Sequence, residues 1–260
     1  MISLKTDEEI AKLREGGKIL SAIMRELAAM VEPGVDTRDL DMFAEKRMLA
    51  AGGKPSFKGY KTAGDVRPFP STVCTSINHE VVHAPAEPAR KLQEGDIIKL
   101  DAGLWYEGLC TDMAVSVAVG DIDKEIRRLM EVTKESLYAG VKKAIAGGWI
   151  SDIGKAVDKV ARRNGFSTVK DLVGHGVGHA VHEDPRIPNF LDGSLEPVRI
   201  EKGMVLAIEP MINAGSDAIV LMPDSWTIIT ADGKPSAHFE VTLAITGDGT
   251  EVLSPLPDNV

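Results

Sequence analysis

The stretch Ile97–Val119, IIKLDAGLWYEGLCTDMAVSVAV, decides the fold, because two acidic residues sit inside an otherwise apolar run. β-Prone residues flank Gly108, so the segment reads as two strands joined by a turn. Asp101 falls in the first strand and Asp112 in the second. A turn centred on Tyr106–Glu107 places residues whose numbers sum to 213 opposite one another, so that Asp101 faces Asp112. A turn at Glu107–Gly108 instead slides the register by two, and both acids still share a face because strand side chains alternate. Bare carboxylates held side by side repel and raise each other's pKa, a cost that bound cations remove. The alternative is a pair of solvated acids on an edge ribbon.

With 260 residues the chain can bury a core as one large domain or two small ones. Hydrophobic residues at 43% and charged residues at 27% are ordinary for a globular protein in water. A net charge of −9 without a Lys/Arg-rich run argues against nucleic acid and membrane as partners. Cys74 and Cys110 are too few for a disulfide framework, and the N-terminal MISLKTDEEI has no apolar signal core. No apolar run reaches bilayer length, so the sequence predicts a cytoplasmic protein.

Upstream of the hairpin, Thr6 and Glu9 form a capping box ahead of Ile10, Leu13, Leu20, Met24, Leu27 and Val31 at roughly helical spacing. Pro33–Gly34 ends that helix. A second helix from about Thr37 carries Leu40, Phe43, Ala44 and Met48 and stops at Gly52–Gly53. Residues 61–70 read as a loop, Thr72–Ile77 as extended, and Asn78–Gln93 as a polar, Pro-punctuated segment with His79 and His83. Downstream, the pattern predicts a long helix over Asp121–Ala146, a break at Gly147–Gly148, a shorter helix from Ser151 to Asn164–Gly165, and strand over Phe166–Val173. Long helix, breaker, shorter helix, glycine stop and strands occur in both halves, about 1–120 and 121–260, which suggests a pseudo-two-fold α+β fold. The tail predicts a strand near Met204–Ile212 and a hairpin joining Trp226–Thr230 to His238–Thr246 through Ala231–Lys234.

Three further places carry chemistry. In Val173-Gly-His175-Gly-Val-Gly-His179 the alternating glycines let a backbone crowd close to a neighbour and clear space around His175. No Lys-Ser/Thr follows, so this is no phosphate loop, and Gly176 stands where a zinc-protease helix needs Glu. A plain glycine-rich turn is the alternative. Glu209 lies inside the apolar run Leu206–Ile212, where an unpaired carboxylate costs several kcal/mol; otherwise it is an edge-strand residue facing water beside Pro210. Glu240 alternates with Phe239, Val241 and Leu243, as a solvent-facing strand residue also would. Taken together, four carboxylates and one imidazole make an oxygen-rich set suited to a pair of Mn, Fe, Co or Zn ions. A water between two such ions becomes a nucleophile near neutral pH.

This set resembles the methionine aminopeptidases, which have the pita-bread fold. The matching residues are Asp101 and Asp112, Gly-His175-Gly-Val-Gly through His182, Ile-Glu209-Pro-Met and Phe-Glu240, in the family's order and spacing, and similarity runs from Lys5 to the last strand. The resemblance implies one catalytic domain over residues 1–260, its two αβ halves closing an antiparallel sheet around a central metal site. It implies that Asp101 chelates one of two divalent ions, that Asp112 and Glu240 bridge both, and that His175 and Glu209 complete the other. Asn78-His-Glu-Val-Val-His83 matches the segment whose last histidine contacts substrate, and His182 matches the second substrate-facing histidine; His79, His179 and His238 are left as bystanders. Phe57, Tyr60, Cys74 and Trp226 match a methionine pocket, with core packing as the alternative for Phe57 and Trp226. Asn78 and Ser236 match a monovalent-cation site.

The implied reaction removes an N-terminal methionine ahead of a small second residue. A hydroxide held between the metals attacks, Glu209 is general base and shuttle, His182 stabilises the oxyanion, and His83 bonds the scissile amide. The implied partners are nascent polypeptide N-termini at the ribosome, with the enzyme a monomer. Four departures surround the pocket: a longer loop after Lys58-Gly59-Tyr60, Ala84 for a usual Gly, Val181 for a larger residue, and His179 for Arg. Proline-directed relatives share the five ligands but carry an additional N-terminal domain, for which a first helix starting near Thr6 leaves no room. A pita-bread binding module that has lost catalysis usually lacks the ligands. The short spacing from His175 to Glu209 and the absence of an extension before Lys5 suit the first of the two methionine aminopeptidase types.

Overall fold

The computed structural model describes residues 2–62, 64 and 66–260. Thr6 and Glu9 form the expected reciprocal cap, and helix α1 (Asp7–Met30) follows. Asp36 caps α2 (Thr37–Ala50) through the Arg38 amide. Short strands β1 (Lys54–Pro55), β2 (Cys74–Ile77) and β3 (Glu80–Val82) lead to the long pair β4 (Ile97–Tyr106) and β5 (Leu109–Ala118). Then come α3 (Lys124–Val141), α4 (Ile150–Arg163), β6 (Ser167–Thr168), β7 (Val173–Gly176), β8 (Glu183–Pro188), β9 (Val205–Ile208) and β10 (Met211–Asn213). The chain finishes with β11 (Ile219–Leu221), β12 (Ile228–Thr230), β13 (Ser236–His238), β14 (Glu240–Thr246) and β15 (Gly249–Val252).

The largest sheet runs β1-β4-β5-β14-β9-β7-β8, with β2 added beside β4 and β15 beside β14. All of its pairings are antiparallel. Two three-stranded sheets, β13-β10-β6 and β11-β12-β3, flank it. Helix α1 crosses β4 and β5 and packs on α2, while α3 packs on α4 and touches β9, β10 and β13.

Alternation explains why this arrangement aims the acids inward. Leu100, Ala102 and Leu104 of β4 and Met113 and Val115 of β5 join Leu20, Met24, Leu27, Leu40 and Met48 of the helices in one buried cluster. Each of these side chains larger than alanine contributes about 1.5–3 kcal/mol on burial. A slip of one residue would drive Asp101 and Asp112 into that layer, so the helices fix which face the acids take. Lys5 completes the N-terminal side: its amide donates to Gly203 and its ammonium pairs with Glu183, both side chains almost buried.

Four expectations differ from what is observed. The third helix is shorter than Asp121–Ala146, because after Val141 the chain tightens into turns and its groups find non-local partners, the Gly147 amide on Ile200 and the Ala144 carbonyl with Thr250. The strand over Phe166–Val173 is only β6, while the glycine-rich run itself is β7. The strand near Met204–Ile212 is two strands, since Pro210 has no amide for the ladder and the chain changes sheets there. The hairpin between Trp226–Thr230 and His238–Thr246 does not form. Instead β12 pairs with β11 and β3, β13 with β10, and β14 with β5, β9 and β15.

Candidate metal centre

The β4–β5 turn is Glu107–Gly108, with φ of 47° and 82°. A two-residue turn of this hand needs positive φ at both positions, and glycine at the second takes it without strain. Centring the turn on Tyr106–Glu107 would have forced two bulky residues there. The register is therefore Asp101 opposite Ala114 and Gly103 opposite Asp112, which corrects the directly opposed pairing. The acids are diagonal neighbours on one face, a separation of roughly 7 Å between β-carbons that leaves room between the carboxylates. They are not edge-ribbon acids, being 6% and 2% exposed.

On β7 the glycines make room for neighbouring backbone. A β-carbon on Gly174 would lie 2.4 Å from the Ala207 carbonyl oxygen, and one on Gly176 would lie 2.3 Å from that of Asp184. This crowding seats β7 between β9 and β8 and holds His175 on the inner face. His175 Nδ1–H donates to the Gly176 carbonyl at 2.9 Å, which leaves Nε2 with its lone pair toward the centre. Burial, then His182, pulls its pKa down to about 3, so the ring is a neutral ligand.

Glu209 sits where β9 ends and Pro210 diverts the chain. Its carboxylate lies between two rings, Oε1 3.4 Å from His175 Nε2 and Oε2 3.6 Å from His238 Nε2. Glu240 begins β14 and is 2% exposed, while the Glu209 side chain, 13% exposed, turns into the cavity, so neither is the outward-facing strand residue of the simpler readings. One donor atom each from Asp112, His175 and Glu240 lie within 4.8 Å of one another, and so do donors from Glu209, His238 and Glu240. His238, taken from the sequence as a bystander, belongs to this cluster. The available signal was its position two residues before Glu240, which on an alternating strand shares a face.

The electrostatics ask for cations. Burial raises the carboxyls of Asp101, Glu209 and Glu240 well above the ordinary range. Mutual repulsion adds to it: Asp112 acts on Asp101, while Asp101 and Asp112 act on Glu209 and, with Glu209, on Glu240. Asp112 is pushed up by burial to about 7, with the Met113 amide opposing. Asp101 Oδ1, Glu240 Oε1 and both nitrogens of His238 are buried without a hydrogen-bond partner. Orphaned buried oxygens beside neutral imidazoles fit divalent cations.

A cavity of about 530 Å³ opens from this centre. It is lined by the five expected ligands, by His83 and His182, and by all four expected pocket residues, Phe57, Tyr60, Cys74 and Trp226. His83 holds a left-handed backbone, φ 58°. The Tyr60 hydroxyl and His182 Nδ1 lie 2.7 Å apart, and the His182 ring stands edge-on to His175 with centroids 4.4 Å apart. The longer loop at 61–70, whose positions 63 and 65 lie outside the described residues, supplies a wall that sequence reasoning missed. Phe69 stands between Phe57 and Trp226, at 6.4 and 5.2 Å between centroids, and Arg67 of the same loop bonds the Asp224 carbonyl. Val181 packs in the core with Ile10 and Leu13 rather than lining the cavity. His179 lies at the surface against Glu9, and neither it nor His79 lines the cavity. At Asn78 and Ser236, matched to a monovalent-cation site, the Asn78 carbonyl accepts the buried ammonium of Lys99 at 2.7 Å.

The profile of metallopeptidase family M24 matches residues 11–247. Methionine aminopeptidases of Clostridium perfringens and Bacillus subtilis are 41% and 42% identical over 254 residues, covering 98% of this chain and 99% of each relative. The crystal structure of the Thermotoga maritima methionine aminopeptidase superposes with a TM-score of 0.92 at 37% identity, covering 98% of this chain and 99% of that one. A prolidase from Pyrococcus furiosus, at 21% identity and TM-score 0.75, shares the fold alone, and the match takes in 65% of its length. The fold is thus the pita-bread arrangement of helices around a curled antiparallel sheet. Likeness along the whole chain, and a buried acidic centre whose donors suit divalent cations, lead to one assignment: the chain belongs to metallopeptidase family M24, among its methionine aminopeptidases, and is a metal-dependent exopeptidase.

Proposed function

We propose that this chain is a single catalytic domain of the short first type, acting as a monomer in the cytoplasm to remove the first methionine from nascent polypeptides ahead of a small second residue. One observation carries the reading. Five metal-type donors and two histidines line the same cavity as the aromatic residues that would receive the methionine side chain. No helix among the described residues is long and apolar enough to cross a membrane.

Asp101, Asp112, His175, Glu209 and Glu240 would hold two divalent ions, drawn from Co, Mn, Fe and Zn. Once bound, such a pair supplies Lewis-acid polarisation of the carbonyl and a water acidic enough to attack near neutral pH. Glu209, flanked by two neutral rings, takes the proton from the attacking water and returns it to the leaving amine. With the Tyr60 hydroxyl donating to His182 Nδ1, the proton of that ring resides on Nε2, where it can be given to the developing oxyanion. His83 bonds the scissile amide as its nitrogen pyramidalises. Phe57, Phe69, Tyr60, Cys74 and Trp226 enclose the first side chain.

Hydrolysis of Met-Ala-Ser, Met-Lys-Ser and Xaa-Pro peptides, each with Mn, Fe, Co, Zn or no metal added, tests the proposal. Met-Ala-Ser should be cleaved fastest, and only with metal. Faster cleavage of Xaa-Pro peptides would move the chain to the prolidase side of the family, and equal rates on Met-Ala-Ser and Met-Lys-Ser would remove the small-residue preference.

A further inference from the structure

Lys99 is a cation with no assigned task. Its side chain is 1% exposed, it lies on β4 two residues before Asp101, and its hydrogen bond goes to the Asn78 carbonyl at 2.7 Å. The same oxygen accepts the Ser236 amide at 3.1 Å, so both of its lone pairs are engaged. Asn78 holds a left-handed backbone, φ 51°. Its side-chain amide donates to Asp96 at 2.7 Å, and its side-chain oxygen accepts the Ile97 amide at 3.0 Å. The Ser236 hydroxyl donates to the Ile212 carbonyl.

Three segments therefore meet at one oxygen. Strand β4 arrives through Lys99, the stretch leading to His83 through Asn78, and β13, which continues to His238 and Glu240, through Ser236. A monovalent cation in this place would need oxygens with free lone pairs. Here N–H donors fill both lone pairs of the Asn78 carbonyl, and an incoming K⁺ or Na⁺ would be repelled by the ammonium. A lysine ammonium is itself a compact point charge, close in kind to such an ion.

We infer that the Lys99 ammonium is a covalently built-in replacement for a monovalent cation, a positioning group that ties the His83 and Glu240 segments to β4 and makes the protein independent of K⁺ and Na⁺. The inference goes beyond the proposed reaction, and its thermal arm needs no turnover, so failure of the methionine specificity would not touch it.

The test compares the parent with Lys99→Ala, which opens the space, and Lys99→Met, which fills it without charge. Thermal midpoints and kcat are read at about pH 6, below the Lys99 pKa of about 7, in K⁺, Na⁺ and tetramethylammonium buffers of equal ionic strength. The parent should give the same midpoint and a kcat within about twofold in all three, because a ligand that does not bind the folded state cannot stabilise it. Lys99→Ala should lose about tenfold or more in kcat in tetramethylammonium and regain at least about threefold, with a higher midpoint, when K⁺ or Na⁺ enters the vacated place. Lys99→Met should lose kcat with KM little changed and regain nothing. A parent whose midpoint or kcat rises with K⁺ or Na⁺ overturns the inference. So does a Lys99→Ala protein that matches the parent in tetramethylammonium, or one that neither cation restores. If Lys99→Ala does not fold, the parent comparison decides the cation question, and a Lys99→Met protein with parental kcat overturns the positioning role.

Discussion

The hairpin β4–β5 and the interrupted strands β9/β10 and β13/β14 deliver acids to the same cavity by opposite means. The hairpin keeps perfect register over ten residue pairs and places Asp101 and Asp112 by alternation alone. The other region works by breaking. Pro210 diverts the chain after Glu209, and the ladder lapses at Phe239 between His238 and Glu240. A regular ladder places side chains with little freedom of aim, whereas a break lets a carboxylate leave the plane of one sheet and point into the space between sheets. The centre has one wall of each kind.

Asp112→Asn in the regular wall and Glu240→Gln in the broken one should have the largest and most similar effects. Each is expected to lower bound metal and reduce kcat/KM by at least about 10³-fold, roughly 4 kcal/mol of transition-state stabilisation, with far-UV circular dichroism unchanged. Metal analysis and steady-state kinetics on one sample check it, and parental activity with parental metal content in either variant would remove that wall from the centre. His83 belongs to neither wall. His83→Ala should keep its metal and a near-parental KM while kcat falls about 10²–10³-fold, as expected for one preorganised group acting in the transition state. A kcat within about threefold of the parent would return His83 to the status of a loop residue.

The two walls repel each other in the metal-free protein, and pH should expose it. Asp101, Glu209 and Glu240, raised well above the usual range, and Asp112, at about 7, hold protons in the folded chain that the unfolded chain has released. Stability carried by these groups is therefore lost as pH rises through the folded values. His175 and His238, both at about 3 when folded, act in the opposite sense below their unfolded value of 6.5. Above 6.5 the opposing group among these is Lys99, lowered by burial to about 7. In EDTA the thermal midpoint should fall as pH rises through about 7, and saturating Mn²⁺ or Co²⁺ should abolish the fall. A flat or rising midpoint in EDTA would mean that neither burial nor neighbouring acids raise these carboxyls. The smallest effect belongs to the hairpin turn. Glu107→Asn supplies a residue that tolerates φ near 47° and should stabilise the protein by about 0.5 kcal/mol, about 1–2 °C, without changing kcat.

The regular wall was legible in the sequence because everything that builds it is local: the capping box of α1, the glycine turn, and the alternation that puts two acids on one face. In the other wall Glu209 and Glu240 stood out against their apolar neighbours, but the resemblance supplied their roles, because strand boundaries there depend on distant pairing. That is why the hairpin expected between Trp226–Thr230 and His238–Thr246 was wrong, since each of its strands prefers a partner far away in sequence. The same non-locality hid Phe69, whose place in the wall depends on Phe57 and Trp226. Lys99 and His238 were recoverable by simple periodicity. Each stands two positions before an acid already singled out: Lys99 shares the face of Asp101 on β4, and His238 reaches the same cluster as Glu240.

The pairing of Lys5 with Glu183 has a consequence in time rather than in space. The two residues are 178 positions apart, and Glu183 also binds the amides of His179 and Ala180, in the stretch that leads to His182. The hairpin can form as soon as its own residues are free to move, in about 1–10 μs. The latch at Lys5 has to wait until almost three-quarters of the chain has been made, and contacts of such separation slow folding. A growing chain thus carries its first two acids long before the strands that answer them exist. The centre is an event of late synthesis: the latch at Glu183 comes first, and the site closes only after Glu209 and Glu240 have followed.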